Sequence, residues 1–127
     1  MKILILGAGR VGSSLASTLS KQQYEVSIVD LNKNRLQRLQ EDLDLATEVG
    51  HGSYPSTLKK AGADEETILL AVTNSDECNI TACQIAKSKF NVKKTICRLS
   101  DASYLNSLSA FGENNIDIAI SPENEVT

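Results

Sequence analysis

Gly7, Gly9 and Gly12 stand in the run Gly7-Ala8-Gly9-Arg10-Val11-Gly12, and each missing side chain serves a different physical end. Gly7 permits a tight turn. Gly9 leaves nothing to keep a pyrophosphate from the backbone. Gly12 lets a following helix pack close against a preceding strand. A helix that opens here presents unpaired N–H groups and a partial positive charge to an anion. Three glycines alone are weak evidence, because glycine punctuates many turns. Their context strengthens them: an apolar run precedes them and an amphipathic one follows.

Asp30 lies 18 residues after Gly12, at the end of a second apolar run. A carboxylate there accepts hydrogen bonds from adenosine ribose hydroxyls and repels a 2′-phosphate. The pattern therefore favours NAD over NADP, with ADP or ATP open because they share that ribose. The alternative is a turn aspartate that caps the next segment. On the binding reading, Asp30→Ala is expected to weaken the ligand and leave the fold intact. Gly50 and Gly52 would let the chain pass close to an adenine ring, with His51 on the same side. Thr73 and Asn74 are placed to bond a ribose or phosphate, and Arg98 to bring positive charge toward a pyrophosphate or a partner. Arg10 either folds over the phosphates or points to solvent. For each of these positions a purely structural role stays open.

The elements that must carry these residues alternate regularly. Lys2-Ile3-Leu4-Ile5-Leu6 is a continuous apolar run, the mark of a strand buried on both faces. Val11, Leu15 and Leu19 recur every four residues and define one apolar helix face. Strands are expected at 26–30, 45–49, 68–72, 95–99 and 117–120. A helix capped by Asn32 or Asn34 carries Leu36, Leu39 and Leu43. A short helix over 55–61 has Ser53 as its N-cap and Gly62 after its last turn. Asp64-Glu65-Glu66 reads as a solvated loop. A helix to Phe90 shows Cys78, Ala82, Ile85 and Ala86 on one face, and another started by Asp101 aligns Tyr104, Leu108 and Phe111. Strand–helix alternation with right-handed crossovers gives an α/β fold, a parallel sheet with helices on both faces. Open parallel sheets of this kind bind ligands at the carboxyl ends of their strands, where the candidate residues fall.

Composition narrows the function. The chain has 127 residues, 41% hydrophobic and 23% charged, with a net charge of −3. That is one domain with one core, and the acidic balance disfavours nucleic acid. No apolar run approaches the roughly 20 residues of a membrane span, and no signal peptide is visible. Cys78, Cys83 and Cys97 are an odd number without metal-site spacing, so they read as reduced residues of a cytoplasmic protein. No constellation for nucleophilic, acid–base or metal chemistry is found, so the reading is a binding module without catalytic residues, with the cofactor half of a small NAD-dependent oxidoreductase as the alternative.

The chain resembles the RCK (KTN) family of amino-terminal nucleotide-binding domains found in regulators of bacterial Trk potassium uptake. The resemblance rests on residues 1–12, Val29-Asp30, Gly50-His51-Gly52-Ser53, Leu70-Ala71-Val72-Thr73-Asn74-Ser75-Asp76-Glu77, Cys97-Arg98, Tyr104-Leu105 and Ser121-Pro122-Glu123. Cys97 departs from it, occupying a position associated with alanine. The resemblance implies a Rossmann-type, doubly wound six-stranded sheet in the order 3-2-1-4-5-6. It implies NAD or NADH, with ATP or ADP as the alternative, as a regulatory ligand rather than a consumed substrate. The implied contacts are Gly7, Ala8, Gly9, Arg10 and Val11 on the pyrophosphate, with Gly12 packing the turn. Asp30 would hold the ribose, and Thr73, Asn74 and Arg98 would lie at the bound nucleotide. The implied partners are a potassium-translocating membrane subunit and further copies of the chain, as a dimer and, at full length, a ring on the inner face of the membrane. Residues 1–127 are then expected to form one dinucleotide-binding domain, with 121–127 beginning a linker toward a further domain.

Overall fold

The computed structural model describes residues 1–108 and 115–121. Among these residues six strands alternate with five helices: β1 (Lys2–Leu6), α1 (Arg10–Lys21), β2 (Glu25–Asp30), α2 (Lys33–Asp42), β3 (Ala46–Val49), α3 (Pro55–Lys60), β4 (Thr67–Ala71), α4 (Asp76–Phe90), β5 (Lys94–Arg98), α5 (Ala102–Leu105) and β6 (Ile118–Ile120). All pairings are parallel, in the order β3-β2-β1-β4-β5-β6. The chain reverses direction across the sheet between β1 and β4, which are hydrogen-bonded neighbours in the register Leu6↔Ala71. That reversal opens a crevice at the carboxyl ends of the strands.

The period-2 geometry of a strand divides β1 between two cores. Ile3 and Ile5 join Ala16 of α1 and Leu36 of α2 on one face. Leu4 and Leu6 join Leu58 of α3 and Ile80, Ala82, Cys83 and Ala86 of α4 on the other. Val11, Leu15 and Leu19 pack on the first core as their spacing predicts, as do Leu39 and Leu43. Asn32 is the N-cap of α2, its side chain accepting from the amides of Asn34 and Arg35. The buried face of α4 is wider than its apolar spacing predicts and includes Asn79. Cys83 and Cys97 are free and fully buried. The adjacent Cys97 thiol, together with burial, pushes the Cys83 thiol well above its ordinary value.

Local differences from the sequence expectations have identifiable causes. Strands β4 and β5 each start and stop one residue early, over 67–71 and 94–98, in the register Ile68↔Lys94. Ser53 is not the cap of α3. Tyr54 takes that place without a side-chain bond, because the Ser53 hydroxyl is held 2.9 Å from His51 Nδ1 inside the preceding turn. Asp64 is more than a solvated loop residue: it pairs with Lys2 Nζ at 2.6 Å and accepts from the Glu66 amide at 2.9 Å. The Lys2 ammonium and that amide hold its carboxyl below the ordinary value. Phe111, Pro122 and Glu123 lie outside the described residues. No described helix is long and apolar enough to cross a membrane.

Candidate functional site

The crevice above the strand ends is an open cleft of about 870 Å³. Gly7, Gly9, Arg10, Val11, Asp30, Thr73, Asn74 and Arg98 all line it. Ala8 and Gly12 stand behind it and shape it.

The turn between β1 and α1 is built from backbone. Gly7 takes φ +106°, a conformation that L side chains rarely adopt, and a Cβ there would lie 2.9 Å from Thr73 Cα. A Cβ on Gly12 would stand 1.7 Å from the Gly7 carbonyl oxygen, so only glycine allows α1 to approach the strand this closely. A Cβ on Gly9 would meet nothing within 4 Å, and it lies at the cleft. The first intrahelical bond of α1 runs from the Ser13 amide to the Gly9 carbonyl at 2.9 Å. The amides of Arg10, Val11 and Gly12 precede it, which gives the turn the donors that an anion needs.

Asp30 is committed at both oxygens. Oδ1 accepts from the Ala8 amide and Oδ2 from the Asn32 amide, each at 2.8 Å. The carboxylate thus ties the glycine turn to the end of β2 while facing the cleft. A carboxylate has about four acceptor sites, so two bonds leave capacity for hydroxyl donors. The turn-cap role and the ligand role are compatible here, and the Asp30→Ala expectation changes: that variant loses stability as well as any ligand bond.

The β4–β5 side is built from side chains. Thr73 turns its hydroxyl inward: Oγ1 donates to Asn79 Oδ1 at 2.7 Å and accepts from the Ser75 amide at 3.2 Å. Asn74 is exposed at the cleft. Arg98 is half-buried, with Nη1 donating to the Thr73 carbonyl at 3.3 Å. Asn79, fully buried, lies beneath them and bonds Thr73 and the Arg98 carbonyl. Beside this cluster, the Asp76 carboxylate accepts from the amides of Ser100 and Asp101 at 2.9 Å, fastening α4 to the exit of β5. Glu77 Oε1 accepts from the Tyr104 hydroxyl at 3.2 Å. The Glu77 backbone amide, that phenol and the Ser75 hydroxyl hold the Glu77 carboxyl below its ordinary value.

Gly50 and Gly52 also line the cleft, but the protein itself occupies the space their side chains would take. A Cβ on Gly50 would lie 2.8 Å from Thr57 Oγ1, and one on Gly52 3.3 Å from Leu6 Cβ. His51 lines the same end, its ring stacked on Tyr54 at 4.6 Å between centroids. Its Nδ1 accepts from the Ser53 amide at 3.3 Å, which places the proton of the neutral ring on Nε2.

Residues that spacing arguments missed are Leu31, Asn32, Arg35, Ser75 and Cys78 at the cleft, and Asn79 beneath it. Arg35 sits in the first turn of α2, five residues after Asp30, and its guanidinium belongs to none of the ion pairs among the described residues. Its signal was the cap: Asn32 starts a helix at the end of β2, and the first turn of that helix overlooks the strand ends. Arg10, Arg35 and Arg98 thus face one carboxylate, Asp30, in a chain of net charge −3. The cleft is cationic on an acidic protein, which suits a ligand carrying several negative charges. Among the described residues no group of three or more His, Cys, Asp or Glu side chains is placed to hold a metal.

Comparison with known proteins agrees with this geometry. A family model described as the TrkA-N domain matches residues 3–122. The Trk system potassium uptake protein TrkA of Halomonas elongata is 43% identical over 129 residues, spanning 100% of this chain and 28% of that protein. The TrkA-N domain of the inner membrane protein YbaL from Escherichia coli superposes with a TM-score of 0.80 at 20% identity, over 98% of this chain and 90% of that one. The GsuK channel bound to NAD superposes at 0.73 and 17% identity, over 94% of this chain and 21% of that one. The two structural likenesses establish the fold. The chain spans just over a quarter of the length of the TrkA relative it matches.

Proposed function

The chain belongs to the TrkA-N domain family, and from that premise we propose that it binds NAD or NADH as a regulatory ligand of a potassium uptake system. The observation that carries this reading is the glycine turn: open space at Gly9, unpaired α1 amides beyond it, and Asp30 holding the turn to the ribose end of the cleft. A dinucleotide would lie across the crevice between β1 and β4. Its pyrophosphate would meet the turn amides and Arg10, and its adenosine ribose would meet Asp30. Its other half would lie over Thr73, Asn74 and Arg98. The groups that line the cleft bind and orient a ligand, and the role proposed for them is ligand sensing.

The TrkA relative is named for potassium uptake and the GsuK structure carries NAD, and both support the reading. Residues 3–122, which the family model matches, act as one nucleotide-binding domain. The protein works at the cytoplasmic face of the membrane, paired with a second copy and with a potassium-translocating subunit. Two ligand states that differ in affinity for two arrangements of such an assembly shift their balance. A tenfold difference is worth about 1.4 kcal/mol.

Calorimetric titration with NAD, NADH, ADP and ATP tests the proposal. Binding of NAD or NADH below about millimolar, with a measurable difference between the two, is the expected result. ATP or ADP binding alone replaces the dinucleotide with an adenine nucleotide as the ligand. Absence of all four ends the regulatory-nucleotide reading.

A further inference from the structure

Asn79 has no part in the glycine signature and touches no solvent, yet it joins two residues of the cleft. The ladder between β4 and β5 makes its last pairing at Ala71↔Cys97. Beyond that pair the strand ends are spanned by the Asn79 amide. Oδ1 accepts from the Thr73 amide at 3.0 Å and from the Thr73 hydroxyl at 2.7 Å. Nδ2 donates to the carbonyls of Thr73 at 3.1 Å and Arg98 at 2.9 Å. An asparagine side chain has two donors and two acceptor sites, and here all four are used. Arg98 closes the ring by donating from Nη1 to the same Thr73 carbonyl.

We propose that Asn79 is a positioning residue: through its amide it fixes Thr73 and the backbone of Arg98 in the places that the half of the ligand over β4 and β5 requires. This rests on the nucleotide reading given above. A buried asparagine that only stabilised the core would be expected among helix or sheet carbonyls. This one sits where the sheet hydrogen bonding stops and spans the two strand ends that line the cleft. A fully satisfied buried network of this kind is rigid, because every alternative arrangement leaves a buried polar group unpaired. The β1–β2 half of the cleft makes no bond to Asn79, so disturbance of the amide should reach one half of a dinucleotide and not the other.

The test separates the two halves. NAD spans the crevice, whereas AMP is satisfied by the turn and Asp30. Both are titrated into the wild-type protein, Asn79→Asp, Arg98→Gln and the double variant. Asn79→Asp keeps the shape and replaces two donors with an acceptor facing two carbonyls. Its NAD dissociation constant should rise tenfold or more, with AMP unchanged within twofold. Arg98→Gln, a change at the half-buried cleft wall, should show the same split even if Asn79→Asp fails to fold. The double variant should bind NAD no worse than the weaker single variant by more than twofold, because both act on one unit. The proposal is overturned if AMP weakens as much as NAD, if folded Asn79→Asp binds NAD as the wild type does, or if the two losses multiply. Wild-type protein that binds neither nucleotide overturns this proposal together with the reading beneath it, whereas wild-type binding with no split overturns this one alone.

Discussion

The two sides of the cleft hold their shape by different means. On the β1–β2 side the geometry belongs to the backbone. Gly7 turns, Gly12 lets α1 press to the Gly7 carbonyl, and one carboxylate, Asp30, takes two amides. On the β4–β5 side it belongs to side chains. Asn79, Thr73 and Arg98 form one hydrogen-bonded unit, and Asp76 pins the loop after β5. A backbone site tolerates no added atom where chain meets chain. A side-chain site tolerates change of shape better than change of donor and acceptor.

The sharpest break of that comparison is within the glycine turn itself. Gly12→Ala puts a Cβ 1.7 Å from an oxygen of the fixed backbone. It should cost about 3 kcal/mol or more, read as a large fall in thermal midpoint or loss of folded protein. Gly9→Ala meets nothing within 4 Å. It should cost less than about 1 kcal/mol at this helix N-cap while weakening NAD binding by about tenfold, worth roughly 1.4 kcal/mol. Equal stability losses at the two glycines would show that the turn is not shaped by contact at Gly12.

Asp30→Asn sharpens the comparison from the same side. An amide can accept at only one of its two ends, so the amide of either Ala8 or Asn32 loses its acceptor. The expected loss is about 1–3 kcal/mol in denaturant unfolding, accompanied by weaker nucleotide binding. Unchanged stability with weaker binding would make Asp30 a ligand residue alone.

The smallest effect concerns acid on the far edge of the side-chain half. Asp117 accepts from the Thr95 amide at 2.8 Å and pairs with Lys87 at 2.8 Å. Burial raises its carboxyl, but Lys87 and the Thr95 amide outweigh burial and leave it below the ordinary 3.8. A depressed folded-state value means stabilisation that is complete above the unfolded value and fades as pH falls through the folded one. Asp117→Asn should therefore flatten the stability profile below about pH 4. The effect should be under about 1 kcal/mol, because both side chains are partly solvated. An unaltered acid arm would place the pH sensitivity elsewhere.

The same contrast explains what the sequence disclosed. Alternation and the glycine turn follow from local spacing and from rules of connection, the strand order came from the family resemblance, and Leu36 or Leu15 could be assigned to a core face by period alone. The structure places Asp30 at the end of β2 as its spacing implied. Asn79 was silent because its meaning is tertiary: a polar residue on the inner face of α4 has no local mark of the two strand ends it will join. Thr73 was noticed for its position, yet the direction of its hydroxyl is set by Asn79 six residues later. Gly50 and Gly52 looked like room for a ligand, and the room belongs to Thr57 and Leu6. Ser53 resembled a cap, but a nearer acceptor on His51 took its hydroxyl.

The saturated amide of Asn79 also limits how this position can vary among descendants of the chain. Glutamine adds a methylene that a fully buried site has no space for, serine and threonine supply one hydroxyl for four partners, and aspartate sets charge against two carbonyls. Drift at position 79 is therefore blocked one mutation at a time. Three of the four partners are backbone atoms of Thr73 and Arg98, so a change at residue 73 relieves only the bond to its hydroxyl, and position 79 should stay asparagine even where residue 73 varies.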